Sequence, residues 1–88
     1  MSEWRVQFGK QARKDAEMLA RSNLRLRAEA LIEVLREDPF RTPPPFERLV
    51  GDLQGLYSRR INVHHRLVYQ VLPELRTVRV LRMWTHYE

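Results

Sequence analysis

Residues 56–70, LYSRRINVHHRLVYQ, alternate in a way that leaves little choice of structure. Leu67, Tyr69 and Val71 fall on one side of a two-residue period, and Arg66, Val68 and Gln70 on the other. The stretch therefore reads as two β-strands joined by a short turn. The first strand carries Arg59 and Arg60, the second His65, Arg66 and Tyr69. A sheet that packs one face on helices can present guanidinium groups from its other face, which suits a protein that grips phosphate. The remaining chain has to supply a core behind this hairpin and complete a site in front of it.

Ahead of the hairpin the period changes twice. Trp4, Val6 and Phe8 alternate with Arg5 and Gln7, which predicts a half-buried strand ended by Gly9. From Lys10 to Arg21 the spacing is helical, with Ala12, Ala16, Leu19 and Ala20 on one side and Arg13, Lys14 and Glu17 on the other. Ser22 and Asn23 break the run and are expected to cap a second helix over 24–37 through their side chains. Leu24, Ala28, Leu31 and Leu35 form its apolar stripe, while Glu29 and Glu33 suit ion pairs with neighbouring arginines on the solvated face. The short gap implies an antiparallel helical hairpin. Asp38-Pro39 stops the second helix, because a residue before proline avoids the helical region.

Pro43, Pro44 and Pro45 predict a stiff, extended strap that fixes where Glu47 and Arg48 emerge. Leu49 and Leu53 would anchor it, and Gly51 and Gly55 punctuate it. After the hairpin, residues 72–76 turn the chain and Thr77 to Trp84 form a last strand. Val78 and Val80 are expected on one of its faces, Leu81 and Met83 on the other. Apolar residues on both faces predict a central position in the sheet. Strand, two helices, then a three-stranded antiparallel meander indicate one α+β domain over 1–88, with the helices on one face of the sheet.

The chain has 88 residues, enough for a single small domain with a thin stability margin, so help from a dimer or a bound partner is expected. No cysteine is present, which removes disulfides and thiolate metal sites and fits the cytoplasm. No segment approaches the roughly 20 apolar residues that span a bilayer, and no long apolar leader opens the chain. The net charge is +5 and the pI about 10.4. Only Lys10 and Lys14 are lysine, and all other basic residues are arginine. Arginine's planar fork matches phosphate oxygens and stacks on bases, so nucleic acid leads the classes of ligand. Solvated charge accounts equally well for the composition taken alone.

Four residues invite a chemical reading: Glu47 just after the prolines, Arg66 on a mid-sheet strand, and His86 and Tyr87 at the end of the chain. Singly, each has a plainer explanation. A loop glutamate is usually solvated, Arg66 can pair with Asp52, and the last residues can fray. His64 and His65 do not suggest a metal site, because adjacent strand residues point to opposite faces and no cysteine supports them. Packing of the sheet explains Tyr69 and Trp84, while Tyr57 can either pack or stack on a base.

Taken together, these residues form a pattern. Glu47-Arg48-Leu49, Asp52-Leu53-Gln54-Gly55-Leu56-Tyr57-Ser58-Arg59-Arg60-Ile61, His65-Arg66-Leu67-Val68-Tyr69 and the closing His86-Tyr87 resemble the Txe/YoeB family of toxin–antitoxin toxins, within the RelE-like group of messenger-RNA endoribonucleases. The resemblance covers nearly the whole chain and is strongest from Pro45 onward. It implies a RelE-like fold and metal-independent cleavage of messenger RNA in the decoding site of the ribosome, with no cofactor. Glu47 then matches the general base, Arg66 the stabiliser of phosphorane charge, His86 the general acid and Tyr87 a residue that holds substrate. Arg59 and Arg60 match the family's paired arginines and are assigned to RNA contact. Arg48 and Tyr57 complete the expected substrate-binding set. Glu88 after Tyr87, and Thr85 where some relatives carry tyrosine, depart from the pattern.

The resemblance also implies a YefM-type antitoxin whose acidic arm folds over the basic cleft, operator DNA reached through that antitoxin, and a homodimer. A free carboxylate titrates near ~4.3, too low for an efficient base at neutral pH, so the ribosome is expected to complete the site and activity in free solution to be weak. The competing reading is a non-catalytic RNA-binding or co-repressor module on the same fold. Salt-sensitive binding is common to both. Only the enzyme reading makes Glu47 and His86 indispensable for toxicity.

Overall fold

The computed structural model describes residues 3–49 and 55–86, with Thr85 and His86 described by backbone alone. Strand β1 (Arg5–Phe8) leads into helices α1 (Lys10–Ala20) and α2 (Arg25–Glu37). Strands β2 (Glu47–Arg48), β3 (Leu56–Arg60), β4 (His65–Leu72) and β5 (Thr77–His86) follow, with a single 3-10 turn at Pro73–Leu75 between the last two. The sheet has five strands in the order β1-β5-β4-β3-β2. The expected meander is its antiparallel centre, and β5 takes the central position its two apolar faces required.

Two strand relationships add to the expected plan. β1 lies parallel to β5, Val6 opposite Val78 and Phe8 opposite Val80. Glu47 and Arg48, expected in a loop, form the short edge strand β2 on β3. The prolines end at Pro45, so the residues beyond it have backbone donors to give to a ladder. Two residues are too few to show a strand period. Gly55 enters β3 at φ +87, a conformation that favours glycine.

The helices bury the predicted stripes. Ala12, Leu19, Leu24, Ala28, Leu31 and Leu35 pack against Leu67, Tyr69, Val78 and Val80 on one face of the sheet. Arg25 pairs with Glu29, and Arg36 with Glu33, on the solvated side of α2. The capping expectation is corrected: α2 begins after Leu24 with no side-chain cap. Ser22 instead donates its hydroxyl to the Leu19 carbonyl at 2.9 Å and accepts the Leu24 N–H at 3.1 Å, closing α1 and holding the turn.

β5 also departs from simple alternation. Val68 lies opposite Arg82 but the next residue, Tyr69, lies opposite Val80, so β5 carries an extra residue there and a second between the Arg66–Thr85 and Val68–Arg82 pairings. Val80 and Met83, three apart and expected on opposite faces, therefore both join the core. The Met83 N–H is accepted by the Asp15 carboxylate of α1 at 2.9 Å, and the same oxygen receives Arg82 Nε at 2.9 Å. Asp15 is only 4% exposed. Burial alone would raise its pKa, but the bonds from Arg82, Met83, Gln11 and Trp84 outweigh it and hold the carboxyl below its ordinary value.

Candidate active site

The strap organises the site. It is not the extended crossing expected from its prolines; the Thr42–Pro43 and Pro43–Pro44 peptides are cis, and three carbonyls converge on one guanidinium. Arg59 donates to the carbonyls of Pro44 (2.5 Å), Pro39 (3.0 Å) and Arg41 (2.9 Å). Its guanidinium carbon also lies 5.1 Å from the Phe46 ring centre and 5.9 Å from that of Tyr69. The Tyr69 hydroxyl donates to the Pro39 carbonyl as well, at 2.9 Å. Burial pushes that hydroxyl's pKa above its ordinary value, against the pull of Arg59.

Beyond the strap, β2 sets Glu47 opposite Ser58. Alternation along β3 turns Ser58 and Arg60 to the face away from the helices, and Tyr57 and Arg59 toward the core. Arg66, opposite Arg60 in the β3–β4 ladder, shares the open face. Its Nη1 donates to the Glu47 carboxylate and, at 3.2 Å, to the Ser58 hydroxyl. The Glu47 side chain is 64% exposed and that of Arg66 20%. An open carboxylate thus meets a half-buried guanidinium, with the exposed Arg60 on the same face.

Of His86, the structure describes the backbone at the end of β5. His86 lies opposite His65, and Thr85 opposite Arg66, so the backbone of the last strand runs beside that of β4 at Arg66. Tyr87 and Glu88 lie outside the described residues, as do Asp52, the suggested alternative partner of Arg66, Leu53, one of the strap's expected anchors, and Gly51, one of its expected breaks. His65 stacks on Trp84, ring centres 4.0 Å apart, in line with a structural part for both.

The expected RNA contacts divide. Arg60 is exposed beside Arg66. Arg59 is corrected: at 1% exposure, with Nη1 and Nη2 engaged by the strap, it faces the core and not a substrate. Tyr57 is likewise a packing residue, its ring 5.2 Å from Phe40, 5.9 Å from Phe46 and 5.8 Å from Tyr69. Arg48 is exposed but stands opposite Tyr57 in the ladder, its guanidinium 5.7 Å from that ring, so β2 turns it away from Glu47.

Among the described residues no three His, Asp or Glu side chains gather as a metal site would. No described helix is long and apolar enough to cross a membrane. Asp15 escaped sequence reasoning, although it sits between Ala12 and Leu19 on the buried stripe of α1. A lone carboxylate in such a stripe signals a buried partner.

Residues 8–87 match the model of the YoeB-like toxin of bacterial type II toxin–antitoxin systems. The chain belongs to the YoeB toxin family. Toxin YoeB of Synechocystis is 36% identical over 74 residues, spanning 84% of this chain and 77% of that protein. Among solved structures, the YoeB/ParE toxin from Agrobacterium tumefaciens superposes with a TM-score of 0.85 at 28% identity, covering 94% of this chain and 99% of that one. A chain of the YoeB–YefM complex from Staphylococcus aureus gives 0.79, also at 28% identity, covering 98% of this chain and 100% of that one. This YoeB-family chain is therefore a type II toxin of the YoeB and RelE kind, and its α+β fold is the one those toxins share.

Proposed function

We propose that this toxin is a ribosome-dependent endoribonuclease that cuts messenger RNA in the decoding site. The observation that carries the reading is the meeting of Glu47 and Arg66 on the open face of the sheet. Cleavage by the RNA's own 2′-hydroxyl needs a base at that oxygen, an acid at the departing 5′-oxygen and positive charge between them. Glu47 takes the 2′-hydroxyl proton as the 2′-oxygen bonds to phosphorus. Arg66 holds the non-bridging oxygens as charge builds on the phosphorane. The phosphorus–5′-oxygen bond then breaks and His86 protonates the leaving oxygen, giving a 2′,3′-cyclic phosphate and a 5′-hydroxyl. Tyr87 and Arg60 hold the RNA.

In the free protein the base and the charge stabiliser lie against each other. Glu47 is the open partner of the pair, free to rehydrate when it leaves, so an arriving phosphate can take its place on the guanidinium. Displacement both occupies Arg66 and releases Glu47 toward the 2′-oxygen. A YefM-type antitoxin with an acidic arm would exploit the same basic face, touching operator DNA in the toxin's stead, and the toxin would act in the cytoplasm, as a monomer or a homodimer. The YoeB–YefM complex and the YoeB dimer from Staphylococcus aureus support both partnerships.

Inducible expression of the wild type, Glu47→Ala and His86→Ala, with mapping of RNA 5′ ends, tests the reading. The wild type is expected to arrest growth and cut messages, and both variants to do neither while still binding antitoxin. Growth arrest by the variants at wild-type strength would leave a binding module instead.

A further inference from the structure

Resting on that reading of the site, we propose that Arg59 is a positioning residue for Glu47: a buried guanidinium that gathers the strap and so sets where the base stands. Three carbonyls from a span of six residues bind it, those of Pro39, Arg41 and Pro44. The Phe46 ring sits 5.1 Å from the guanidinium carbon. Its contacts therefore end three residues and one residue before Glu47. From the other side Glu47 is held by the β2–β3 ladder opposite Ser58, the residue next to Arg59.

The chemistry of the contact requires arginine. Its fork offers five donors in one plane, so one side chain can serve three carbonyls from different directions. A lysine ammonium keeps the charge but, as a compact point, cannot span the same three. The strap lacks donors of its own at its prolines and runs between α2 and β2 without ladder partners, so the guanidinium supplies the order that a longer strand would otherwise give. Ser58 and Arg59 divide the labour across β3: the Ser58 hydroxyl accepts Arg66 at 3.2 Å on one face, and Arg59 holds the segment carrying Glu47 on the other.

Positioning of this kind has a kinetic signature distinct from general stability. A displacement of about 1 Å at a reacting group can cost roughly 100-fold in rate. Single-turnover cleavage on ribosomes programmed with messenger RNA is compared for the wild type, Arg59→Lys and Ser22→Ala, below all three melting midpoints. Ser22→Ala is the control, since its hydroxyl bonds only within the turn between α1 and α2. Arg59→Lys is expected to bind ribosome and antitoxin as the wild type does, to cleave roughly 10- to 100-fold more slowly, and to shift the Phe46 and Glu47 amide NMR signals. Ser22→Ala is expected to cleave as the wild type does. Should Arg59→Lys not fold, Phe46→Leu, which removes the ring seated by the guanidinium, is expected to show the same separation of binding from rate. Cleavage by Arg59→Lys, or by its substitute, at the rate of Ser22→Ala would overturn the proposal. A wild type that cuts nothing on programmed ribosomes would instead overturn the nuclease reading beneath it.

Discussion

Arg66 reaches from β4 to lay its guanidinium on the carboxylate of Glu47, a residue nineteen positions earlier on the edge strand. Neither partner is placed by local sequence. Glu47 is delivered by the strap and the β2–β3 ladder, Arg66 by the β3–β4 ladder, and Ser58 stands between them as a partner to both. In the proposed chemistry each group needs the other nearby but not bound, which is why an ion pair with an open carboxylate suits the resting state.

Glu47→Gln should separate chemistry from folding. The side chain is largely exposed, so thermal stability is expected to change by no more than about 0.5 kcal/mol. Cleavage on programmed ribosomes is expected to fall by about 10²- to 10⁴-fold, the usual contribution of a general base. A melting curve and a single-turnover time course on the same preparation check both halves.

Arg66→Lys keeps a positive charge but loses the planar fork. Removing a donor aimed at transition-state charge costs about 10²- to 10³-fold in rate, and an ammonium is expected to restore only a small part of it. Rate constants at saturating toxin, compared with binding measured separately, show whether the loss lies in the chemical step.

Arg60 makes a different kind of prediction. As an exposed cation on the face of the site, it is expected to contact phosphate without taking part in the reaction. Arg60→Ala should weaken binding to non-cleavable single-stranded RNA uniformly across sequences and lower the slope of log affinity against log salt by about 0.7. Arg59→Lys should leave that slope unchanged, since its guanidinium faces inward.

Asp15 ties stability to acid. Its carboxyl is held below the ordinary value in the folded state, so it adds stability above the unfolded carboxylate's pKa of ~3.9, and that stability is lost as pH falls through the lower folded value. Asp15→Asn leaves the Arg82 and Met83 donors poorly matched and is expected to cost about 1–3 kcal/mol at neutral pH. Its melting temperature should also change less than that of the wild type between pH 5 and the acid limit. Parallel curves for the two proteins across that range would contradict the assignment.

Much of this molecule could be read without coordinates because its elements are regular. The stripes of α1 and α2, the β3–β4 hairpin and the central place of β5 follow from spacing alone. What escaped depends on contacts between distant segments. β2 is two residues long, too short for any period to show. The phase of β5 changes at a bulge whose N–H is accepted by Asp15 from another element. Arg59 and Arg60 look equivalent as neighbours in a basic strand, yet the pleat sends one inward to the strap and the other to solvent. Alternation around Ser58 contained that distinction, but only the fold showed which face was buried.

The proposed reaction is tested most directly at the attacking atom. Messenger RNA carrying a single 2′-deoxynucleotide at the position cut in the decoding site is presented on ribosomes to the purified toxin, beside the all-ribose control. The control is expected to yield a 2′,3′-cyclic phosphate and a 5′-hydroxyl, and the substituted message to remain intact at that site while binding of the toxin is unchanged. Cleavage of the deoxy-substituted bond at the control rate, or a 5′-phosphate on the downstream product, would contradict a mechanism in which Glu47, Arg66 and His86 act on attack by the RNA's own hydroxyl.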